Sequence, residues 1–398
     1  MSARMPKKYS RGFTLIEVII VMVLFTVIIA LAAQTFKNVT TLSVKHSKSE
    51  ESNIEGIIGL EVLRHDLEQM GFGLCWGYLP GITVNYNEAA DADNTTNDAP
   101  QNVPRAFIAL NNTAAFSSDL VGVKATTVGG AKASQRWTYV PFHNMSSSPS
   151  WASRPVTWPS GNLTASDKVI VVRHNFNDPA DDHLLLSTTG TDYATLSTGN
   201  EATNSYLPTK DQQVSMVYGV EQGDVTLRMP FNRTDFFITT NSVPPFCAEQ
   251  TGVLYKAIVS HTGGSYNYMP LLDCVADMQV VLGWDSSDGG RAKSISVYSN
   301  ADGSVVSGNA SSTDVQGWLA SPQGIREHLK MIKLYLLAQE GRKDPGYTYP
   351  DPTMVVGNAS AGETSLTSTY AFTTTQRKYH WKLYRVIVQP KNLVSNQQ

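Results

Sequence analysis

The sequence is poor in charged residues. They make up 16% of the 398 positions, and the formal net charge is −3. No run rich in lysine or arginine occurs after residue 12. Because nucleic-acid binding depends on clustered cations that meet the phosphates, this absence argues against a nucleic-acid partner. The polar residues are largely Ser, Thr and Asn, which is typical of a neutral, outward-facing surface.

Motifs of familiar catalytic chemistry are also missing. The sequence has no G-x-S-x-G, no H-E-x-x-H and no Walker phosphate loop, and its three cysteines show no zinc spacing. The segment GFGLCWG (71–77) is glycine-rich, but no predicted strand precedes it and no lysine follows, so a helix cap is the better interpretation. We therefore expect no enzymatic activity, no cofactor and no bound metal.

A long apolar run lies near the N-terminus. From Phe13 to Ala33 it spans about 31 Å as a helix, close to the hydrocarbon thickness of a bilayer. The twelve residues before it include Arg4, Lys7, Lys8 and Arg11 and no acid. The positive-inside rule places this flank in the cytoplasm and the rest of the chain outside it. A cleaved secretory signal is the alternative, because ALAAQ (30–34) has the small residues of such a cleavage site.

Glu17 stands inside this apolar run, and it argues against the secretory signal. An isolated carboxylate in hydrocarbon is expensive unless something neutralises it. If the chain is cut after Gly12, the new α-amino group of Phe13 supplies a cation one helical turn away. Within one helix that geometry is awkward, whereas a neighbouring helix offset along an assembly could present its amine to Glu17. The carboxylate then sets the register between subunits.

These residues carry a family resemblance. The stretch GFTLIEVIIVMVLF resembles the class III signal of type IV prepilins, with a basic leader, a glycine, then Phe-Thr-Leu-Ile-Glu and an apolar helix. The resemblance implies cleavage between Gly12 and Phe13 by a prepilin peptidase and N-methylation of Phe13. It also implies a role for Glu17 in docking onto other pilin subunits, major and minor. The expected location is the bacterial inner membrane, with the head in the periplasm, and then a pilus filament or its tip.

The helix is predicted to continue well past the membrane. No proline lies between Pro6 and Pro80, and the predicted helix runs from Phe13 to Met70, with Gly71 and Gly73 after its end. Apolar residues at spacings of three and four predict a stripe that packs on a globular head: Ile54, Ile57, Ile58, Leu60, Leu63, Leu67 and Met70. Two glycines in this stretch, Gly56 and Gly59, could let the helix bend.

The rest of the chain is predicted to form β structure. Short apolar runs between turn residues predict strands at 117–128, 166–174, 224–229, 253–259, 278–284, 293–299, 329–339 and 382–390. A hairpin turn is predicted at 300–304, and loops at 87–104, 141–166 and 342–368. The expected fold class is pilin-like α+β. We divide the chain into a leader (1–12), a transmembrane helix (13–36), its periplasmic continuation (37–79) and a β-rich head (80–398).

A weaker resemblance concerns the subfamily. Five segments are similar to segments of PilW-type minor pilins: VLRHDLEQMGFG, SDKVIVVRH, LLDCVADMQVVLGWDSSDGG, MIKLYLLAQEG and KLYRVIVQPKNL. This resemblance implies a non-enzymatic subunit that primes pilus assembly or joins the tip complex, upstream of motility or adhesion. The alternatives are a pseudopilin of a type II secretion system and a tip adhesin, for which exposed aromatics such as Trp137, Trp151 and Trp158 would serve.

Two loops of the head have candidate metal-binding residues. His174 and His183 bracket NFNDPADD, so Asp178, Asp181, Asp182 and His183 could gather at a turn, although a solvated acidic loop is the simpler interpretation. Asp91, Asp93 and Asn97 offer oxygen ligands for calcium but lack the glycine of a sharp calcium-binding turn.

The cysteines allow one disulfide and leave one thiol. Both Cys247 and Cys274 lie outside the membrane, 27 residues apart, where two predicted strands could bring them together at a sheet edge. We expect these two to be linked and Cys75 to be free. A bridge between Cys75 and either partner remains the alternative.

Overall fold

A computed structural model of the chain describes residues 14–90, 96–142, 156–187, 192–196, 206–292, 294–358, 360 and 363–393. The chain divides into two units, Met1–Glu51 and Ser52–Gln398, and each is described by itself. The predicted pilin-like α+β class is confirmed: an apolar N-terminal helix is followed by a large β-rich domain.

Helix α1 (Leu15–Gln69) has almost the predicted bounds. It ends because Gly71 and Gly73 follow with φ of 79° and 72°, in the left-handed region that glycine adopts without strain. The N–H of Gly71 then donates to the carbonyl of Lys124 at 3.0 Å, which ties the end of the helix to the β domain.

The described β domain has seventeen strands and two further α-helices. In chain order the strands are β1 Gly77–Tyr78, β2 Phe107–Leu110, β3 Leu120–Ala125, β4 Trp137–Pro141, β5 Asp167–Asn175, β6 Leu184–Leu186, β7 Ala194–Thr195, β8 Gln213–Gln222, β9 Asn232–Thr239, β10 Gly252–Val259, β11 Tyr266–Trp284, β12 Val297–Ser299, β13 Val305–Gly308, β14 Leu329–Glu340, β15 Thr353–Val355, β16 Thr369–Ala371 and β17 His380–Val388. The helices are α2 Ser312–Ala320 and α3 Pro322–His328.

The strands form two main sheets and a hairpin. The larger sheet has the order β13-β12-β11-β10-β9-β3-β2, and β14 and β17 extend it from β11. The smaller sheet has the order β1-β6-β5-β8-β4, with β7 beside β5, and its β1–β6 pair is parallel. Strand β11 joins the two parts of the larger sheet, because its first half pairs with β10 and its second half with β14.

The last turns of α1 pack into the main core. Leu63, Leu67 and Met70 are fully buried, and each burial of this kind contributes roughly 1.5–3 kcal/mol. The prediction was wrong for the first residues of the stripe: Ile54, Ile57 and Ile58 are 57–61% exposed. At about 100° per residue, these three isoleucines lie on the side of the helix opposite Leu63, Leu67 and Met70, so spacings of three and four had joined two different faces into one stripe.

The glycines of α1 allow close packing, which is a different role from the predicted bend. A Cβ on Gly59 would lie 1.9 Å from the backbone oxygen of Leu271 in β11, so only glycine fits. A Cβ on Gly56 would meet only the ends of side chains, Leu272 at 3.0 Å and Tyr384 at 3.4 Å. The helix runs through both positions without interruption.

The loop predicted at 87–104 is irregular, but its described acidic residues are buried. The Lys124 ammonium lies 2.7 Å from Glu88 and 2.6 Å from Asp98. The Arg233 guanidinium lies 2.8 Å from both Glu88 and Asp235. Because each buried charge faces an opposite one, the network holds this loop on strands β3 and β9. Spacing in the sequence does not reveal it, since residues that pair directly, such as Glu88 and Arg233, lie 145 positions apart.

Most predicted strands occur, with shifted bounds, and the hairpin turn at 300–304 connects β12 to β13. The prediction of a strand at 224–229 is wrong, because this segment connects β8 to β9 and forms no part of a sheet. Helices α2 and α3 were missed. Helix α2 begins at a capping box in which the Ser311 hydroxyl and the Asp314 carboxylate bond each other's backbone N–H.

Candidate functional site

The first part of α1 is an uncovered apolar surface. Leu15–Lys37 is long and apolar enough to cross a membrane, and none of its most apolar window is buried. At 1.5 Å per residue the segment is about 35 Å long, slightly more than the hydrocarbon layer of a bilayer. An apolar helix with no protein cover is stable in lipid or in contact with other helices.

Glu17 is held by a neighbour in its own chain. Its Oε2 accepts hydrogen bonds from the backbone N–H and the hydroxyl of Thr14, both at 2.8 Å. The Glu17 N–H donates in return to the Thr14 hydroxyl oxygen at 3.4 Å. This is a capping box that satisfies the first amides of the helix. Thr14 was not among the predicted site residues, although the pattern Thr-x-x-Glu before an apolar run signals such a box.

The comparisons with known proteins identify this segment. Residues 7–33 match the model of a family described as the prokaryotic N-terminal methylation motif. The chain carries a type IV prepilin signal. No curated protein and no solved structure matches the chain.

The prepilin signal coincides with the uncovered helix. It includes Gly12 and Phe13, which lie outside the described residues, and Glu17, which lies three residues after the helix cap. The signal implies processing by a prepilin peptidase and association with other pilins, as a pilin or pseudopilin subunit. The apolar helix is consistent with anchoring in a membrane.

The acidic loop of the head brings three of its candidate residues together. His174 ends β5, and Asp182 and His183 precede β6, with ligand-type atoms within 4.8 Å of one another. Burial, and then the neighbouring His183, lowers the pKa of His174 to about 4, so its ring is neutral at pH 7. The other two acids are engaged elsewhere: Asp181 faces Arg173 at 3.2 Å, and Asp178 caps a turn.

Trp76 adds a contact to His183 that was not predicted. Its indole stacks on the His183 imidazole with ring centroids 3.5 Å apart and planes 3° from parallel. The Arg326 guanidinium lies over the indole, 5.1 Å from its centroid. No sequence signal connects these three residues, because they come from the segment between α1 and β1, the loop before β6, and α3.

Among the residues that the structure describes, the other candidate ligand and aromatic side chains form no site. Trp137 and Trp158 are half-buried and pack on each other, with ring centroids 5.1 Å apart. The Trp158 indole N–H donates to the backbone carbonyl of Trp137 at 2.8 Å, so these two rings pack within a loop, which is not the exposed surface that the adhesin alternative requires. Trp151 and the calcium candidates Asp91 and Asp93 lie outside the described residues.

The structure contains a disulfide between Cys247 and Cys274, whose Cα atoms are 5.1 Å apart. Cys274 lies in β11 and Cys247 in the segment before β10. Cys75 is a buried free thiol, and burial raises its pKa to about 12. It therefore stays protonated and shielded in the folded protein.

Proposed function

We propose that this protein is a minor pilin of a type IV pilus, a non-enzymatic subunit that primes assembly or forms part of the tip complex. One observation carries the proposal: the prepilin signal at 7–33 coincides with a membrane-length apolar helix, and none of the most apolar window of that helix is buried. Such a helix is placed first in the inner membrane and then among the helices of a filament.

The size of the head favours a minor subunit over a major one. The β-rich unit extends over Ser52–Gln398 and contains two large sheets. A bulky head crowds a helical filament in which every subunit carries it, whereas a tip or priming position leaves space around it. The segments similar to PilW-type minor pilins support the same choice. A pseudopilin of a type II secretion system is the alternative, since it uses the same signal.

Glu17 is proposed to dock against the Phe13 amine of a neighbouring subunit. The bonds from Thr14 both end on one carboxylate oxygen, Oε2. Among the described residues, Oε1 has no hydrogen-bond partner, so an intermolecular cation can approach it without disrupting the cap. Cap and docking are therefore compatible roles of the same side chain.

The test compares three variants in sheared filaments and in membrane fractions. Glu17→Val should insert normally, because removing the carboxylate lowers the free energy of the helix in lipid, but it should be absent from the filaments. Glu17→Gln should fail nearly as badly, since it keeps size and hydrogen bonding but loses the charge. Thr14→Val is the matched control: it removes the capping hydroxyl and keeps the carboxylate, so incorporation should persist.

Two outcomes would contradict the docking role. Normal incorporation of Glu17→Val would exclude it, and a failure of Thr14→Val equal to that of Glu17→Val would assign the requirement to the helix cap.

Mass spectrometry of the mature protein tests processing separately, with an expected N-terminus at Phe13 carrying one extra methyl. A chain that starts at Gln34 would instead show a secretory signal. Immunoprecipitation with pilus or secretion-system components separates the two assemblies.

A further inference from the structure

Two imidazoles and a carboxylate converge at one end of the smaller sheet. The Asp182 carboxylate lies between two rings: its Oδ1 is 3.7 Å from Nδ1 of His174, and its Oδ2 is 2.8 Å from Nδ1 of His183. The ring centroids of the two histidines are 3.8 Å apart. Each of the three side chains is 19–22% exposed, so the cluster is held by the protein and still open to solvent.

The backbone around the cluster is fixed in place. Asp182 Oδ1 accepts hydrogen bonds from the backbone N–H of Asn175 at 3.0 Å and of His183 at 2.9 Å. The His183 carbonyl accepts from the Trp76 N–H at 2.8 Å, and the stacked indole fixes the plane of the imidazole. His183 has a φ of 53°, an unfavourable conformation for a side-chain-bearing residue, and one often found at binding sites.

The histidines have nitrogen atoms without hydrogen-bond partners. Among the described residues, Nε2 of His174 and Nδ1 of His183 are buried polar atoms that make no hydrogen bond. The close approach of Asp182 to His183 therefore lacks hydrogen-bond alignment. Buried polar atoms are nearly always paired, so a His174 nitrogen without a hydrogen-bond partner and a His183 nitrogen that faces only the misaligned Asp182 carboxylate point to a ligand shared by the two rings and the carboxylate. A cation with affinity for imidazole is that kind of ligand.

We propose that His174, Asp182 and His183 form a binding site for one divalent transition-metal ion, with Zn²⁺ as the best match. Two imidazoles and one carboxylate are a typical donor set for zinc, and the set leaves a fourth position open to water. Calcium and magnesium fit poorly, because they select oxygen ligands. Arg173 precedes His174 in the chain and carries a positive charge that would repel a cation. The Asp181 carboxylate, 3.2 Å from Arg173, compensates this charge.

The proposed ion clamps three segments of the head. It connects the end of β5 with the loop before β6, and through the stacked ring of His183 it stiffens the segment after α1 that contains Trp76. This role is independent of the filament function, and it departs from the absence of a metal site expected from the sequence. Its failure would leave the pilin proposal unaffected.

Titration calorimetry of the full-length chain in detergent, stripped with EDTA and free of affinity tags, tests the site with Zn²⁺ alone. We expect one ion per chain. His174→Ala and His183→Ala should each weaken binding by at least about tenfold. Asp182→Asn is a milder variant, because the amide oxygen can still accept the two backbone N–H bonds, and it should weaken binding as well. The control is His65→Ala, which alters another His–Asp pair, exposed on α1, with His65 Nδ1 3.6 Å from Asp66.

Trp76 provides a second readout. Cu²⁺ bound beside the stacked indole should quench part of the tryptophan fluorescence, and Trp76→Phe should lose this quenching while keeping one ion per chain. Near-ultraviolet circular dichroism verifies that each variant is folded. The proposal is overturned if Zn²⁺ produces no binding heat, or if folded variants of His174 and His183 bind as the parent does.

Discussion

The contact between α1 and β11 makes a sharp prediction at Gly59. A Cβ there would lie 1.9 Å from the backbone oxygen and 2.7 Å from the carbonyl carbon of Leu271. Both are backbone atoms of a strand paired with a neighbour, so they cannot rotate away as the end of a side chain can. Gly59→Ala therefore forces the helix and the sheet apart.

The magnitude follows from two opposing effects. Replacing glycine by alanine in a helix gains about 1 kcal/mol in helix propensity. Overpacking a close contact typically costs about 1–3 kcal/mol, and a clash between backbones belongs at the upper end. We expect Gly59→Ala to lower the free energy of unfolding by about 1–2 kcal/mol, the difference between these effects.

Gly56→Ala is the matched control in the same helix. Its Cβ would meet the terminal carbon of Leu272 at 3.0 Å and the Tyr384 hydroxyl at 3.4 Å, both at the ends of side chains that can adjust. The propensity gain then dominates, and the free energy of unfolding should stay unchanged or rise by up to about 1 kcal/mol. Urea unfolding of both full-length variants in detergent, followed by tryptophan fluorescence, measures the contrast. Equal stabilities of the two variants would refute the close packing at Leu271.

Two further predictions concern the cysteines and a buried histidine. Non-reducing peptide mapping should recover Cys247 linked to Cys274, with Cys75 alkylated only after unfolding because burial raises its pKa to about 12; a bridge that contains Cys75 would contradict the assignment. Removing the bridge should lower the free energy of unfolding by about 3 kcal/mol and leave membrane insertion unchanged. Burial lowers the pKa of His261 to about 4, so below pH 6.5 the unfolded chain binds a proton that the folded chain does not. Stability should therefore fall between about pH 6.5 and pH 4 by up to about 3 kcal/mol. His261→Gln should remove this part of the pH dependence, and an unchanged pH profile in that variant would show that His261 does not cause it.

The functional segment could be predicted from local pattern alone. The basic leader, Gly12, Phe13 and the apolar helix are contiguous in the chain, so their order and spacing already specify a signal that membranes and processing enzymes read as a linear segment. The end of the helix at Gly71 could also be predicted from the sequence, because glycine is the residue that most easily adopts the left-handed backbone conformation that follows a helix.

The tertiary structure decided what depends on distant partners. Spacings of three and four connected Ile57 to Leu63 in one stripe, yet the two lie on different sides of the helix, and only the packing of the head shows that the first is exposed and the second buried. Arg233 and Glu88 are 145 positions apart, and a charge at either gives no local sign of the other. His174 and His183 are near in sequence, but Trp76, which stacks on His183, comes from the segment between α1 and β1. Local rules describe the conformation of a segment, whereas burial, ion pairing and ligand geometry depend on which surfaces the whole chain brings into contact.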